Sequence, residues 1–299
     1  MQQLLQMYLG TLPLQLQPAD RVDLISALAF VVSQMEFAHC LPAMSAIAQP
    51  LLDRLSALLQ QPSPAPATDV ATLLEQICAL LRGVQPGMKA TMSEEQIVAA
   101  GGHPSVQMLL KIWDVLAAVS TRHGASSNCM EKLCRCYKHT ARTAGDSFRA
   151  VVGKLLPLVT GWFEQQPHSC FLYINNVCLT AFGRSPAVGE LLPLFSETFR
   201  RMAVATFQLL SATSTLVDNP DVVDDFFELC GKVLIYQVPP LDGAGLGRHR
   251  GSRAPIPFAW SGIRSEGRGG IEPAAGRGGG QPYTGQHNLR HWRRSILRY

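Results

Sequence analysis

Charge is scarce in this chain: Asp, Glu, Lys and Arg make up 16% of 299 residues. That is too little for a long solvated coiled coil. Sustained β alternation is absent, which argues against a sheet protein. The longest apolar stretch, Leu41 to Leu59, is interrupted by Pro50, Asp53 and Arg54, so it is not a membrane span. The start, MQQLLQMYLG, lacks a basic segment and a small-residue cleavage site and does not read as a secretory signal. No Ser/His/Asp, Cys/His or phosphate-loop pattern occurs, and the eight His are scattered, so nothing points to an enzyme, a catalytic residue or a cofactor.

The eight cysteines (Cys40, Cys78, Cys129, Cys134, Cys136, Cys170, Cys178 and Cys230) have no disulfide-framework spacing. Free thiols buried on helices suit a reducing compartment. Cys129, Cys134 and Cys136 invite a zinc reading. On one helix, however, Cys134 and Cys136 point about 160° apart, and no C-x2-C half-site exists, so no metal site is expected. Asp218, Asp221, Asp224, Asp225 and Glu228 cluster, but acids in the first turns of a helix are ordinary complements of its dipole. His168 begins a helix and reads as a cap or packing residue.

What is plentiful is apolar side chains, 47% of the chain, recurring at three and four. Leu24, Ile25, Leu28, Val31 and Val32 form one such set, and Leu109, Leu110, Trp113 and Leu116 another. With boundaries read from Pro18, Ser127/Asn128 and Asn219-Pro220-Asp221, helices fall roughly at 1–16, 20–38, 41–61, 69–84, 105–122, 128–143, 147–165, 168–183, 187–212 and 220–236. Taken in pairs, the first helices recur about every 40 residues, with one long step explained by a Gly/Pro-rich insertion over 85–102. The expectation is all-α: an α-solenoid of about five stacked HEAT/ARM-like hairpins over 1–240. The competing reading is a single irregular helical bundle.

From Leu241 the character changes. Ten arginines face three acids and 13 of the last 59 residues are Gly, leaving 16 cations and 19 anions in residues 1–240. Residues 241–299 read as a disordered tail, with a composition like that of translated non-coding sequence. Its two Arg-Gly-Gly triplets, at Arg268 and Arg277, are a weak RNA signal, and no direct nucleic-acid or membrane partner is expected.

One segment of the mildly acidic body departs from this background. MEKLCRCYKHTAR, Met130 to Arg142, places Lys132, Arg135, Lys138 and Arg142 within an arc of about 120° on a helix, with His139 inside it. Leu133, Tyr137, Thr140, Ala141 and Ala144 take the other side. Glu131, four residues before Arg135, dampens the field or orients that Arg. The ordinary reading is a solvated face; the functional reading is a ladder of cations for successive phosphates or carboxylates of an extended peptide. The pairing makes this a second helix of its hairpin, and second helices are assigned to the concave surface, where such ligands bind.

HPSVQMLLKIWDVL, CMEKLCRCYKHTAR, HSCFLY, TFQLL and NPDVVDDFFEL follow one another from His103 to Leu229. In these blocks the chain resembles the transportin-3 type of importin-β (karyopherin-β) nuclear import receptor, over about 103–238. The resemblance implies a HEAT-repeat solenoid, found in nucleus and cytoplasm, whose arginine-rich inner helix grips phosphorylated Arg/Ser-rich domains of splicing factors. Its cation sites fall on Lys132, Arg135, Lys138 and Arg142; two are Lys, which keep the charge but lose the bidentate fork. It also implies contacts with nuclear pore proteins, and with the GTPase Ran through amino-terminal repeats to which nothing here corresponds. The alternative is a general HEAT scaffold joining proteins without a transport role.

Overall fold

A computed structural model describes residues 2–11, 16–85, 92–184, 188–211, 213–236 and 238. The tail at 241–299, with its expected disorder, lies outside them. All regular structure among the described residues is helical. The first four helices are α1 (Gln2–Thr11), α2 (Pro18–Ser33), α3 (Phe37–Gln60) and α4 (Ala67–Gly83). Next come α5 (Glu94–Ala99), α6 (Pro104–Lys111), α7 (Trp113–His123) and α8 (Ser127–Ala144). A 3-10 turn at Gly145–Phe148 leads to α9 (Arg149–Gln165), α10 (Ser169–Phe182), α11 (Val188–Leu209), α12 (Thr213–Asp218) and α13 (Pro220–Ile235).

These helices stack in two layers. In one, α4 packs between α2 and α8, α10 lies against the far side of α8, and α13 lies against α10. Those five are the second helices of the hairpins read from the sequence. The first helices form the other layer, where α3 meets α1, α6 and α7, and α9 meets α11. A single core of buried side chains runs from Tyr8 to Val238 between the layers. This is the stacked-hairpin solution rather than an irregular bundle.

The layers differ in chemistry. Internal prolines fall in the first helices: Pro42 and Pro50 in α3, Pro157 in α9 and Pro193 in α11. Each removes a backbone donor and favours a bend. Prolines of the second layer, Pro18 and Pro220, sit only at helix starts, where the missing N–H costs nothing.

Several details differ from the sequence reading. The expected helix over 105–122 is two, α6 and α7, because Ile112 adopts φ −97°, ψ 7°. Apolar spacing runs on across the kink, with Ile112 and Trp113 both buried, which is why the sequence reads as one helix. The 85–102 insertion holds α5, opened by a reciprocal cap between Ser93 and Gln96. Gly101 and Gly102 then turn the chain at φ +91° and +92°, a region that favours glycine. The cap of α8 is Ser126, whose hydroxyl accepts from Cys129 N–H at 3.3 Å, not Ser127 or Asn128. Asn219 precedes α13 as expected, yet its amide turns back to donate to the Thr215 carbonyl, at 2.8 Å, so it does not cap the helix.

Candidate functional site: the charged face of the second-helix layer

Helix α8 occupies the middle of its layer because one side is apolar throughout. Met130, Leu133, Tyr137, Thr140, Ala141 and Ala144 are all buried. Burying Leu133 alone is worth about 2 kcal/mol. The Tyr137 ring packs on Trp113, centroids 5.7 Å apart, while its hydroxyl has no hydrogen-bond partner. The cysteines are part of this packing. Cys136 bonds the Leu74 carbonyl at 3.6 Å and shares a hydrogen bond with Cys78 of α4, which raises its own pKa and lowers that of Cys78. Cys134 turns the other way, toward Cys170 of α10. The two thiols therefore serve opposite neighbours.

Anchoring that side turns the cationic arc outward, across the faces of α4 and α10. The four cations are not equivalent. Lys132 Nζ lies 2.7 Å from Glu75 Oε1 of α4, with its side chain 17% exposed. Arg135 is paired with Glu131, one turn back on the same helix. Lys138 instead sits 4.4 Å from the centroid of the Tyr173 ring of α10. Arg142 donates to the hydroxyl of that same tyrosine at 3.4 Å. Among the described residues no carboxylate forms an ion pair with Lys138 or Arg142. Lys132 and Arg135 are thus offset by carboxylates, whereas Lys138 and Arg142 are held against Tyr173. His139 adds no charge near neutrality. Burial, followed by the nearby Arg82, Lys138, Arg142 and Arg135, lowers its pKa to about 4.

Arg135, Lys138 and Tyr173 line a cleft of about 760 Å³ that continues to the start of α13. Its far wall carries Asp218, Asp221 and Asp225. Asp221 lies in the first turn of α13, as a dipole complement should, but Asp225 has a further part. Burial lifts its pKa to about 6, against a hydrogen bond from Ser169 that acts the other way. His168 bonds the Gly124 carbonyl through Nε2 at 2.7 Å and packs edge-on to Phe171. It is a packing residue.

Sequence reasoning did not single out Tyr173, Glu75, Arg82 or the α13 acids as parts of this face. Each lies on another helix, and only stacking brings it to α8. Cations on the opposite layer contrast with Lys138 and Arg142: Arg201 is paired with Glu164 and Arg149 with Glu190, both across α9 and α11. Among the described residues no group of three His, Cys, Asp or Glu side chains could hold a metal ion, and no helix is long and apolar enough to cross a membrane.

Fold and face together define a helical-repeat solenoid with a charged cleft across one layer. Residues 103–210, which include all of α6 to α10, match the transportin-3/importin-13 fourth TPR domain. Over this segment the chain is similar to the transportin-3/importin-13 branch of the importin-β receptors. Among curated relatives, it is 27% identical over 126 residues to transportin MOS14 of Arabidopsis thaliana, covering 42% of this chain and 13% of the plant protein. It is 21% identical over 220 residues to importin-13 of Homo sapiens, covering 71% of this chain and 22% of the human protein. A solved structure of importin-13 in its cytosolic state superposes with a TM-score of 0.63 at 16% identity, over 77% of this chain and 26% of that one. The chain thus spans about a quarter or less of each, and the structural likeness speaks to the fold alone.

Proposed function

We propose that this chain supplies a cargo-binding segment of a nuclear transport receptor, which captures phosphorylated Arg/Ser-rich or acidic segments of proteins moving between cytoplasm and nucleus. The chemistry is non-covalent: phosphates seat against the cations of α8. The observation that carries the reading is that Lys138 and Arg142, alone among the four, are held on Tyr173 and not on a carboxylate. The Lys138 ammonium lies over the ring and the Arg142 guanidinium reaches its hydroxyl, so both charged ends are held in place without a carboxylate, which lowers the ordering cost of binding. Lys132 and Arg135 contribute more weakly, because Glu75 and Glu131 offset them. The family supports transport as the setting; Ran and pore contacts belong to the longer receptor and are not assigned to this segment.

The test is charge reversal, Lys138→Glu with Arg142→Glu, read against a phosphorylated Arg/Ser peptide. Reversal is expected to abolish binding while helicity by circular dichroism is retained. Unchanged affinity removes these residues from the site. Equal binding of phosphorylated and unphosphorylated peptide to the unaltered chain supports instead a general scaffold without a transport role.

A further inference from the structure

Four of the eight cysteines meet in pairs on either side of α8: Cys136 with Cys78 of α4, and Cys134 with Cys170 of α10. The seam between α8 and α10 places the second pair independently. These helices run in the same direction, since the early residues of both line one cleft and the later residues of both line the next. Lys138 meets the Tyr173 ring at 4.4 Å, and Cys134 and Cys170 stand about one turn before those two residues. The two pairs differ in access. Cys134 and Cys170 both line the cleft of about 760 Å³, whereas Cys78 and Cys136 do not. Cys170 is 9% exposed and Cys136 is fully enclosed.

We propose that Cys134 and Cys170 form an oxidisable thiol pair in the wall of this cleft, which a hydroperoxide converts to a disulfide joining α8 to α10. The proposal goes beyond the phosphate reading and does not depend on it. Reactive thiols sit where a reagent can reach them and beside positive charge. Cys170 lies in the first turn of α10, at the positive end of that helix, and Arg135 and Lys138 line the same cleft. Its sulfur attacks the peroxide, the O–O bond breaks, and one oxygen stays on Cys170 as a sulfenic acid while the other leaves as alcohol, or as water from hydrogen peroxide. Cys134 is the resolving partner. Burial, followed by its hydrogen bond with Cys170, holds its thiol well above the ordinary pKa, so it keeps its proton until the second step. Cys134 sulfur then attacks Cys170 sulfur, the S–O bond breaks, and the departing oxygen takes the Cys134 proton to leave as water. Two thiols are oxidised and one peroxide is reduced. The bridge fastens the cation-bearing helix to the helix of Tyr173, and a small thiol reverses it by exchange. Such a transient bridge suits a reducing compartment.

The test treats the folded, unaltered chain with hydrogen peroxide, blocks the remaining thiols after unfolding, and maps the peptides by mass without reduction. The expected first product is one cross-linked peptide pair joining Cys134 to Cys170, lost on adding dithiothreitol, with Cys78 and Cys136 still free. Cys134→Ser removes the resolving thiol, so the Cys170 sulfenic acid should accumulate and be trapped by dimedone. Cys170→Ser should leave Cys134 unlabelled. Both variants are checked for helicity, and the mapping of the unaltered chain stands whether or not they fold. A first bridge between Cys78 and Cys136, or no bridge between Cys134 and Cys170, overturns the proposal. So does a folded Cys134→Ser chain that takes up no dimedone at Cys170. No peptide ligand enters the experiment, so its outcome is separate from the fate of the phosphate seat.

Discussion

Two of the four rungs on α8 are muted by neighbouring carboxylates, so removing those carboxylates should strengthen the site. The perturbation is Glu75→Gln with Glu131→Gln. Glu75 Oε1 lies 2.7 Å from Lys132 Nζ, and Glu131 pairs with Arg135. A bound phosphate would sit about 8–10 Å from each carboxylate. At that separation, in a largely aqueous field, one unit charge is worth about 0.5 kcal/mol at low salt. The two together give about 1 kcal/mol, a gain of about fivefold in affinity for a phosphorylated peptide. At physiological salt the screening length is about 8 Å, which should shrink the gain to about twofold. Folding should suffer slightly, since the pairs are partly exposed and each contributes at most about 1 kcal/mol. Fluorescence anisotropy at two salt concentrations measures the gain, and a urea melt measures the cost. Weaker binding at both salts, with folding intact, would refute the claim that these acids compete with the ligand.

Two further outcomes concern the scaffold. Burial holds the pKa of His103 near 4, and its Nδ1 accepts the Ser105 N–H at 3.1 Å, which protonation would break. Between its ordinary value and about 4 the unfolded chain binds the proton and the folded chain does not. Stability is therefore full above about pH 6.5 and falls toward pH 4, by at most about 3 kcal/mol from this residue. His139 acts in the same sense, while Asp225, raised to about 6, adds stability as pH falls from there toward its unfolded value near 4. His103→Gln should flatten the pH dependence of urea melts; an unaltered slope would contradict the assignment. Tyr137→Phe deletes a buried hydroxyl without a partner and should leave stability equal or higher by about 1 kcal/mol, whereas a loss of about 2 kcal/mol in the same melts would mean that the hydroxyl is satisfied.

Much of the fold was legible because amphipathic helices write their own periodicity. The five second helices and the division of α8 into Leu133/Tyr137/Ala141 and Lys132/Arg135/Lys138/Arg142 sides emerge from spacing alone, since both depend on residues three and four apart. Glu131 offsetting Arg135 was readable for the same reason. The kink at Ile112 was not, because the buried pattern of Leu109, Ile112 and Trp113 continues through it. The quality of each cation was equally hidden. Whether a rung is offset by Glu75 or steadied by Tyr173 depends on residues 57 and 31 positions away. Cations that look equal on a helical wheel therefore differ once the hairpins stack. Asp225 shows the same limit: read as a dipole complement, it becomes half-buried only when α13 meets α10.

The most direct measurement is a titration of a doubly phosphorylated Arg/Ser peptide, and of its unphosphorylated form, into the unaltered chain and into Lys138→Glu/Arg142→Glu. Reversing two charges at a phosphate contact should cost at least about 3 kcal/mol, more than a hundredfold, for the phosphorylated peptide only. Affinities that do not depend on phosphorylation, or that survive the reversal, would show that α8 is a solvated face and not a binding site.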